Sequence, residues 1–283
     1  MNKISLKDKN YPELLKKIPN PPKELYFNGI LKKSEKYPFA VVGTRKPSAY
    51  GQEVTEYFVK NLSEAGLTIV SGLALGIDSL AHKIALENKG KTIAVLGSGL
   101  NHIYPQTHQK LAKEIVISGG ALISEYPPET LVYKGNFPAR NRIISGLSLG
   151  VLIIEAPEKS GALITAHYAT LQKRRVFVVP GRIYDKNSVG ANELIKQGAQ
   201  LVSKPEEILK TLKIKPVSFK KQKIDFLSEE EKLLLKFLDE EPVSIDEIIK
   251  QNKKPASKII SCLTSMEMKG VIKNLGGQYI GIK

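Results

Sequence analysis

The densest group of side chains able to do chemistry lies in one short stretch, residues 134–146. It holds three cations, an amide and an aromatic ring: Lys134, Arg140, Arg142, Asn141 and Phe137. This mixture is typical of surfaces that bind single-stranded nucleic acid. Cations follow the phosphate backbone there, and the ring stacks on a base, which contributes about 1–3 kcal/mol. The spacing equally allows Phe137 to be a core residue and the arginines to form a solvated helix face.

Two further stretches combine small and basic residues where a buried apolar run ends. Gly43-Thr-Arg45 follows one run, and Ser71-Gly72 opens a glycine-rich turn after the next. A glycine lets the backbone approach a phosphate closely, and an arginine can hold a phosphate through two hydrogen bonds. Backbone N–H groups of such a turn can also cradle an anion. We therefore count Gly43, Arg45, Ser71 and Gly72 among the candidate phosphate-binding residues.

These stretches belong to a regular alternation of strand-like and helix-like segments. Short runs rich in valine and isoleucine are typical of strands buried on both faces of a parallel sheet. The predicted strands are residues 39–42, 67–70, 92–96, 121–123, 151–154, 176–179 and 200–202. The predicted helices are residues 51–64, 77–88, 106–117, 139–147, 162–173 and 191–196. This order predicts an α/β fold with a doubly wound parallel sheet, which binds ligands at the carboxyl ends of its strands.

The chain is predicted to divide into four segments. Residues 1–36, polar and punctuated by proline, are predicted to be a short lead-in, and residues 37–212 to form the sheet domain. The Lys-rich residues 213–226 are typical of a linker. Residues 227–283 are predicted to form a small winged-helix domain. Three helical patterns there, two of them opening with capping sequences, precede a hairpin around two glycines.

Charge and composition limit the classes of partner. The chain carries 43 Lys and Arg against 28 Asp and Glu, a formal net charge of +15. This excess favours nucleic acid or an anionic membrane as partner, although a generally lysine-rich proteome would give the same charge. The single cysteine, Cys262, fits a reducing compartment. We see no signal peptide and no apolar run near the roughly 18 residues of a membrane span, so we expect a soluble, cytoplasmic protein without a membrane partner.

Several motifs that suggest a cofactor fail on their context. Residues 85–92 match a loose P-loop expression, but a predicted helix precedes them and a strand follows, the reverse of a P-loop. Gly97-Ser-Gly99 follows a strand, yet His102 stands where a dinucleotide-binding loop needs its third glycine. The four histidines lack metal-ligand spacing, and no nucleophile is paired with a base. We therefore predict no cofactor, no metal and no catalytic residue: the protein is not an enzyme.

Taken together, the motifs resemble those of the DNA-processing protein A (DprA/Smf) family. The matching segments run in the family's order: residues 40–45, 71–78, 92–97, 104–105, 136–146, 160–166 and 176–181. The resemblance implies an extended Rossmann-like fold that binds single-stranded DNA in a basic pocket, with contacts from Arg45, Lys134 and Phe137. It also implies a homodimer that protects incoming strands and helps load the RecA recombinase during natural transformation. The winged helix is similar to an extra domain that many members carry.

Two other hypotheses compete with single-stranded DNA binding. The first is a transcription regulator that binds duplex DNA through the winged helix, whose third helix offers Lys254, Lys258 and Lys269 but no arginine to read bases. That domain could instead make protein contacts. The second is a nucleotide hydrolase similar to the lysine-decarboxylase-like phosphoribohydrolases, whose Pro-Gly-Gly-x-Gly-Thr-x-x-Glu signature this chain does not contain.

Overall fold

The computed structural model describes residues 1–215, 227–238, 242–252, 255–269 and 271–281. The chain divides into two compact units, Met1–Val217 and Ser218–Lys283. Most of the predicted linker, residues 216–226, lies outside the described residues, as does Lys254.

One large sheet organises the first unit. Its strands are β1 (Asn2–Ser5), β2 (Glu24–Gly29), β3 (Pro38–Val42), β4 (Thr68–Ser71), β5 (Thr92–Leu96), β6 (Ala121–Ser124), β7 (Gly150–Ile153), β8 (Arg175–Val178) and β9 (Gln200–Leu201). They lie in the order β1-β2-β6-β5-β4-β3-β7-β8-β9. The neighbours from β6 to β9 are all parallel. The predicted extended Rossmann-like, doubly wound parallel sheet is therefore confirmed.

Helices connect these strands close to the predicted positions. They are α1 (Glu13–Lys16), α2 (Ala49–Glu64), α3 (Ile77–Glu87), α4 (Gln109–Ile117), α5 (Asn136–Gly146), α6 (Gly161–Leu171), α7 (Val189–Lys196) and α8 (Pro205–Thr211). A short 3₁₀ turn, Gln106–His108, precedes α4. No helix in the described ranges has both the length and the apolar character needed to cross a membrane.

Residues 1–36 differ from the prediction of a lead-in segment. They contribute β1 and β2, which pair with each other and add to β6 as antiparallel strands at one edge of the sheet. Tyr11, Leu15 and Leu25 from this segment are buried in the core. These edge strands are short and partly exposed, so they lack the continuous apolar run that marks the central strands.

The core lies on both faces of the sheet. Along β3, Ala40 and Val42 pack into the cluster on one face, while Phe39 and Val41 pack into the cluster on the other. Because successive side chains of a strand point to opposite faces, this division covers the sheet with helices on both sides. The connecting loops lie at the carboxyl ends of the strands.

The second unit is a winged helix, as predicted. It contains α9 (Glu229–Phe237), α10 (Ile245–Asn252) and α11 (Ala256–Met268), with a small sheet of β10 (Val243–Ser244), β11 (Ile272–Asn274) and β12 (Gln278–Gly281). Ser228 and Glu231 cap the start of α9 reciprocally, which satisfies backbone N–H groups that a helix start leaves free. Leu234, Ile259 and Leu263 are among the residues of its core.

Candidate functional site

The loops that follow β5, β4, β3, β7 and β8 meet at one edge of the large sheet. These strands are parallel neighbours, so all of their carboxyl ends lie at the same edge. The predicted site residues fall at the end of β4, on the loops after β3, β4 and β6, and along α5. The structure therefore brings the predicted residues to one region, and the geometry gives the contacts of the individual side chains.

An aromatic pair lies at the β5 end of this edge. Phe137, in the first turn of α5, is half-buried, and its ring centroid lies 5.6 Å from that of Tyr104. A Cβ atom added to Gly97 would lie 2.7 Å from Phe137 Cδ1, so glycine lets the ring rest against the backbone after β5. Tyr104 is 47% exposed. The pair thus combines a supported ring with an accessible one, which is a suitable platform for a planar ligand.

Exposed cations lie on the same edge of the sheet as that platform. Arg45 lies on the loop after β3, and Lys134 lies just before α5; both side chains are exposed. Gly43 allows its loop to pass close to α3, since an added Cβ would lie 2.6 Å from Ile77 Cγ1. Arg45 and Lys134 can therefore reach an anion that approaches the edge from solvent.

Arg140 has a different position from the one predicted. It is 4% exposed, and its Nη1 donates to the carbonyl of Gly72 at 2.7 Å and to that of Val95. Asp78, also buried, accepts from the backbone N–H of Gly72 at 3.1 Å. Burial raises the pKa of the Asp78 carboxyl, against the opposing effect of Arg140. Arg140 and Asp78, both buried, together hold the loop after β4 against the end of β5.

This geometry does not support the predicted direct contact of Arg140 with a phosphate. Burial lowers the pKa of Arg140 to about 10, which still leaves the guanidinium charged at neutral pH. Its guanidinium lies beneath the loops and donates to backbone carbonyls. Arg140 is therefore a positioning residue for these loops. An added Cβ at Gly72 would lie 2.7 Å from the Arg140 guanidinium, so a larger residue there would displace that group.

Three other residues that were predicted to contact DNA also bond to groups inside the protein. The buried Ser71 hydroxyl donates to the Val41 carbonyl at 2.7 Å. The buried Asn141 amide donates to the Gly161 carbonyl at 3.1 Å and accepts from Arg140 Nε at 3.2 Å. Arg142 forms a partly buried ion pair with Glu125 at 2.5 Å. These contacts favour support of neighbouring strand ends over the predicted direct contact with DNA.

Glu155 is a residue of this edge that sequence reasoning missed. Its buried carboxylate accepts from the backbone N–H of Ser48 at 3.0 Å and from the Ser48 hydroxyl at 2.5 Å. Asn187 donates to the carbonyl of Lys46 at 3.0 Å and to Glu155 at 3.4 Å. Glu155 thus joins the Arg45 loop to the loop after β8. Its sequence signal is an acidic residue directly after the apolar run of β7.

The histidines do not assemble a metal centre at this edge. Within the described ranges, no cluster of three or more His, Cys, Asp or Glu residues could hold a metal ion. His82 is buried, and its Nδ1 lies 2.7 Å from Thr92 Oγ1. Burial lowers the pKa of His82 to about 3, so the ring is neutral. His82 therefore packs in the interior beneath the site.

Comparison with known families agrees with this fold. Residues 2–213 match the model of the DNA recombination-mediator protein A family, and residues 220–278 match that of the DprA winged helix domain. The chain belongs to the DNA recombination-mediator protein A family, which confirms the resemblance inferred from the sequence.

Individual relatives give the same result. The chain is 39% identical to Protein Smf of Escherichia coli over 96% of its own length and 75% of the relative's. It is 43% identical to DNA processing protein DprA of Bacillus subtilis over 77% of its length and 74% of the relative's.

Solved structures agree as well. The crystal structure of DprA from Streptococcus pneumoniae shares 43% identity and superposes with a TM-score of 0.69, covering 74% of this chain and 73% of that one. A structure of DNA processing protein A from Helicobacter pylori describes the single-stranded DNA binding mode of that protein. It shares 34% identity with a TM-score of 0.66, over 75% of this chain and 95% of the other.

Proposed function

We propose that this protein binds single-stranded DNA along the carboxyl edge of its large sheet. The observation that carries the proposal is the supported Phe137 ring beside the exposed Tyr104, with the exposed cations Arg45 and Lys134 on the same edge. Stacking requires an unpaired base, and the cations follow the backbone without regard to sequence. We therefore expect sequence-tolerant binding that weakens steeply with salt.

The family supports a role for this binding in recombination. The Helicobacter pylori relative binds single-stranded DNA, and the family is named for recombination mediation. We propose that the chain protects incoming strands and helps load the RecA recombinase during natural transformation, in the cytoplasm. In this function the protein acts by binding and delivery, without catalysis.

A titration of labelled oligo-dT against a matched duplex tests the DNA-binding proposal. We expect tighter binding of the single strand, falling as salt rises from low to physiological concentration. Phe137→Ala should weaken single-strand binding by roughly five- to 150-fold, the loss of one stacked base. Ile117→Ala, a variant of an exposed apolar residue on α4, serves as the control and should bind like the wild type.

Two outcomes would contradict the proposal. Equal or tighter binding of the duplex, indifferent to Phe137, would move the activity to the winged helix. Single-strand binding that survives both Phe137→Ala and Arg45→Ala would place the DNA elsewhere on the large unit.

We also propose that the protein forms a homodimer through the β9 side of the sheet. Within the described residues β9 pairs only with β8, so its outer edge is unpaired, and Leu201 on it is exposed. Beside it, α6, β8 and α7 line an open groove of about 970 Å³ that includes Leu163, Val176 and Val189. Light scattering should give a dimer for the wild type and a monomer for Val189→Arg. A wild-type monomer at high concentration would overturn this part of the proposal.

A further inference from the structure

The loop after β8 presents an unusual surface for the tip of a connection. Ile183 is 76% exposed and Tyr184 is 92% exposed, and they lie between the exposed cations Arg182 and Lys186. Single exposed apolar residues are ordinary on protein surfaces. An aliphatic and an aromatic side chain enclosed by two cations is the combination that contacts the bases and backbone of a single strand.

This loop is held in place. Its turn is closed by backbone bonds from Asp185 N to the Arg182 carbonyl at 3.1 Å and from Ser188 N to the Asp185 carbonyl at 2.8 Å. The Tyr50 hydroxyl donates to the carbonyl of Pro180 at 2.9 Å. The backbone that carries Ile183 and Tyr184 is therefore held by the fold, so less ordering of the loop is needed when a ligand binds.

The same loop is joined directly to the Arg45 loop. Asn187 donates to the Lys46 carbonyl at 3.0 Å, and Lys46 itself is an exposed cation. The strand order β5-β4-β3-β7-β8 places the β8 loop on the far side of Arg45 from Phe137. Four strand spacings separate the ends of β5 and β8, or about 19 Å. At 3.4 Å or more per nucleotide, that distance takes no more than about six nucleotides.

We propose that residues 182–186 form a second subsite for single-stranded DNA, in which Tyr184 stacks on a base several nucleotides from the one on Phe137. Arg182 and Lys186 hold the adjoining phosphates. This proposal rests on the DNA-binding function proposed above. It extends the site from one pocket to a track across five strand ends.

Oligonucleotide length separates the two subsites experimentally. Labelled oligo-dT of about four nucleotides occupies only one subsite, whereas about 20 nucleotides spans both. Tyr184→Ala should weaken binding of the long oligonucleotide about fivefold or more and leave binding of the short one within about twofold. Tyr184→Phe keeps the ring and should bind both like the wild type. Phe137→Ala should weaken both lengths.

A second variant tests the cations. Arg182→Ala combined with Lys186→Ala should lower the salt slope of the long oligonucleotide by about 1.4, or about 0.7 for each phosphate that the protein no longer neutralises. Tyr57→Ala, which removes an exposed tyrosine from the middle of α2, is the matched aromatic control. It should leave the affinity for both lengths of oligonucleotide unchanged.

The outcomes distinguish this inference from the proposed function. Wild-type affinity of Tyr184→Ala for the long oligonucleotide, with Phe137→Ala weakened, overturns the second subsite and leaves the first in place. An equal loss at both lengths also overturns it, because Tyr184 would then act by supporting the Arg45 loop. Failure of the wild type to bind single strands would remove both proposals together.

Discussion

The two units of this protein differ in their balance of positive and negative charge. Residues 1–215 carry 31 Lys and Arg against 18 Asp and Glu, whereas residues 227–283 carry nine against nine. In the large unit, Arg45 and Lys134 are exposed at the carboxyl edge of the sheet. In the winged helix, Lys258 lies 3.2 Å from Glu230, and Lys269 lies 2.7 Å from Glu231.

This difference indicates where a polyanion binds. An excess of unneutralised cations creates the field that attracts nucleic acid, and cations paired within their own domain contribute little to it. The hypothesis of a duplex-binding regulator requires cations on α11, the third helix of the winged helix. Among the described residues of that helix and its end, Lys258 and Lys269 are both engaged by carboxylates of α9. The charge pattern therefore favours the sheet edge as the DNA-binding surface.

The largest effect is expected from removing the buried cation beneath that edge. Arg140→Met leaves the carbonyls of Gly72 and Val95 without their donor and Asp78 without its neighbouring positive charge. We expect a loss of about 3–5 kcal/mol in the free energy of unfolding. Denaturant unfolding of the full chain, followed by circular dichroism, measures it. Arg140→Lys keeps the charge but not the paired donors, so its free energy of unfolding should lie between those of the wild type and Arg140→Met. An unchanged midpoint for Arg140→Met would contradict the positioning role.

The outcome for Arg140 shows how far the sequence reaches. Runs such as residues 39–42 and 92–96 predicted their strands, since only strands buried on both faces are apolar without interruption. The motif around Phe137 lies, as that strand pattern predicts, at the carboxyl ends of the parallel strands. The burial of Arg140 could not be predicted, because its partners are the backbone carbonyls of Gly72, just after β4, and of Val95 in β5, far away in sequence. Every residue has a backbone carbonyl, so the sequence does not show which carbonyls an arginine will bond. In the sequence, such an arginine therefore looks the same as one that binds a phosphate.

A pH series tests the internal pairing of the winged helix. Burial raises the pKa of Glu231, but hydrogen bonds from Lys269, from the Ser228 N–H and from Ser265 lower it further, from 4.5 to about 2. A depressed pKa in the folded state means that its stabilising effect is complete above about pH 4.5 and is lost as pH falls toward 2. Glu231→Gln should therefore destabilise the winged helix at neutral pH by about 1–3 kcal/mol. It should also flatten the loss of stability between pH 4.5 and 2, measured by thermal unfolding. An unchanged acid profile would show that Glu231 is not paired as described.

A smaller effect is expected from single exposed cations of the large unit. Lys134→Ala removes one cation that neutralises a phosphate, so the slope of log affinity against log salt should fall by about 0.7 for a single strand. The loss should be similar for oligonucleotides of different sequence, since phosphate contacts carry no sequence information. Titrations at several salt concentrations measure both quantities. A loss confined to one base composition would assign Lys134 to base recognition instead.

The smallest effect should come from the same kind of substitution in the other unit. Lys258→Ala removes a cation that Glu230 already neutralises, at the surface, where such a pair contributes about 0–1 kcal/mol to stability. We expect affinities for both single strand and duplex to stay within about twofold of the wild type, against the clear loss in Lys134→Ala. Both variants are measured as full chains with the same labelled oligonucleotides. If Lys258→Ala instead abolished duplex binding, the ion pair with Glu230 would have to open on contact with DNA. The winged helix would then be a second nucleic-acid-binding surface despite its balanced charge.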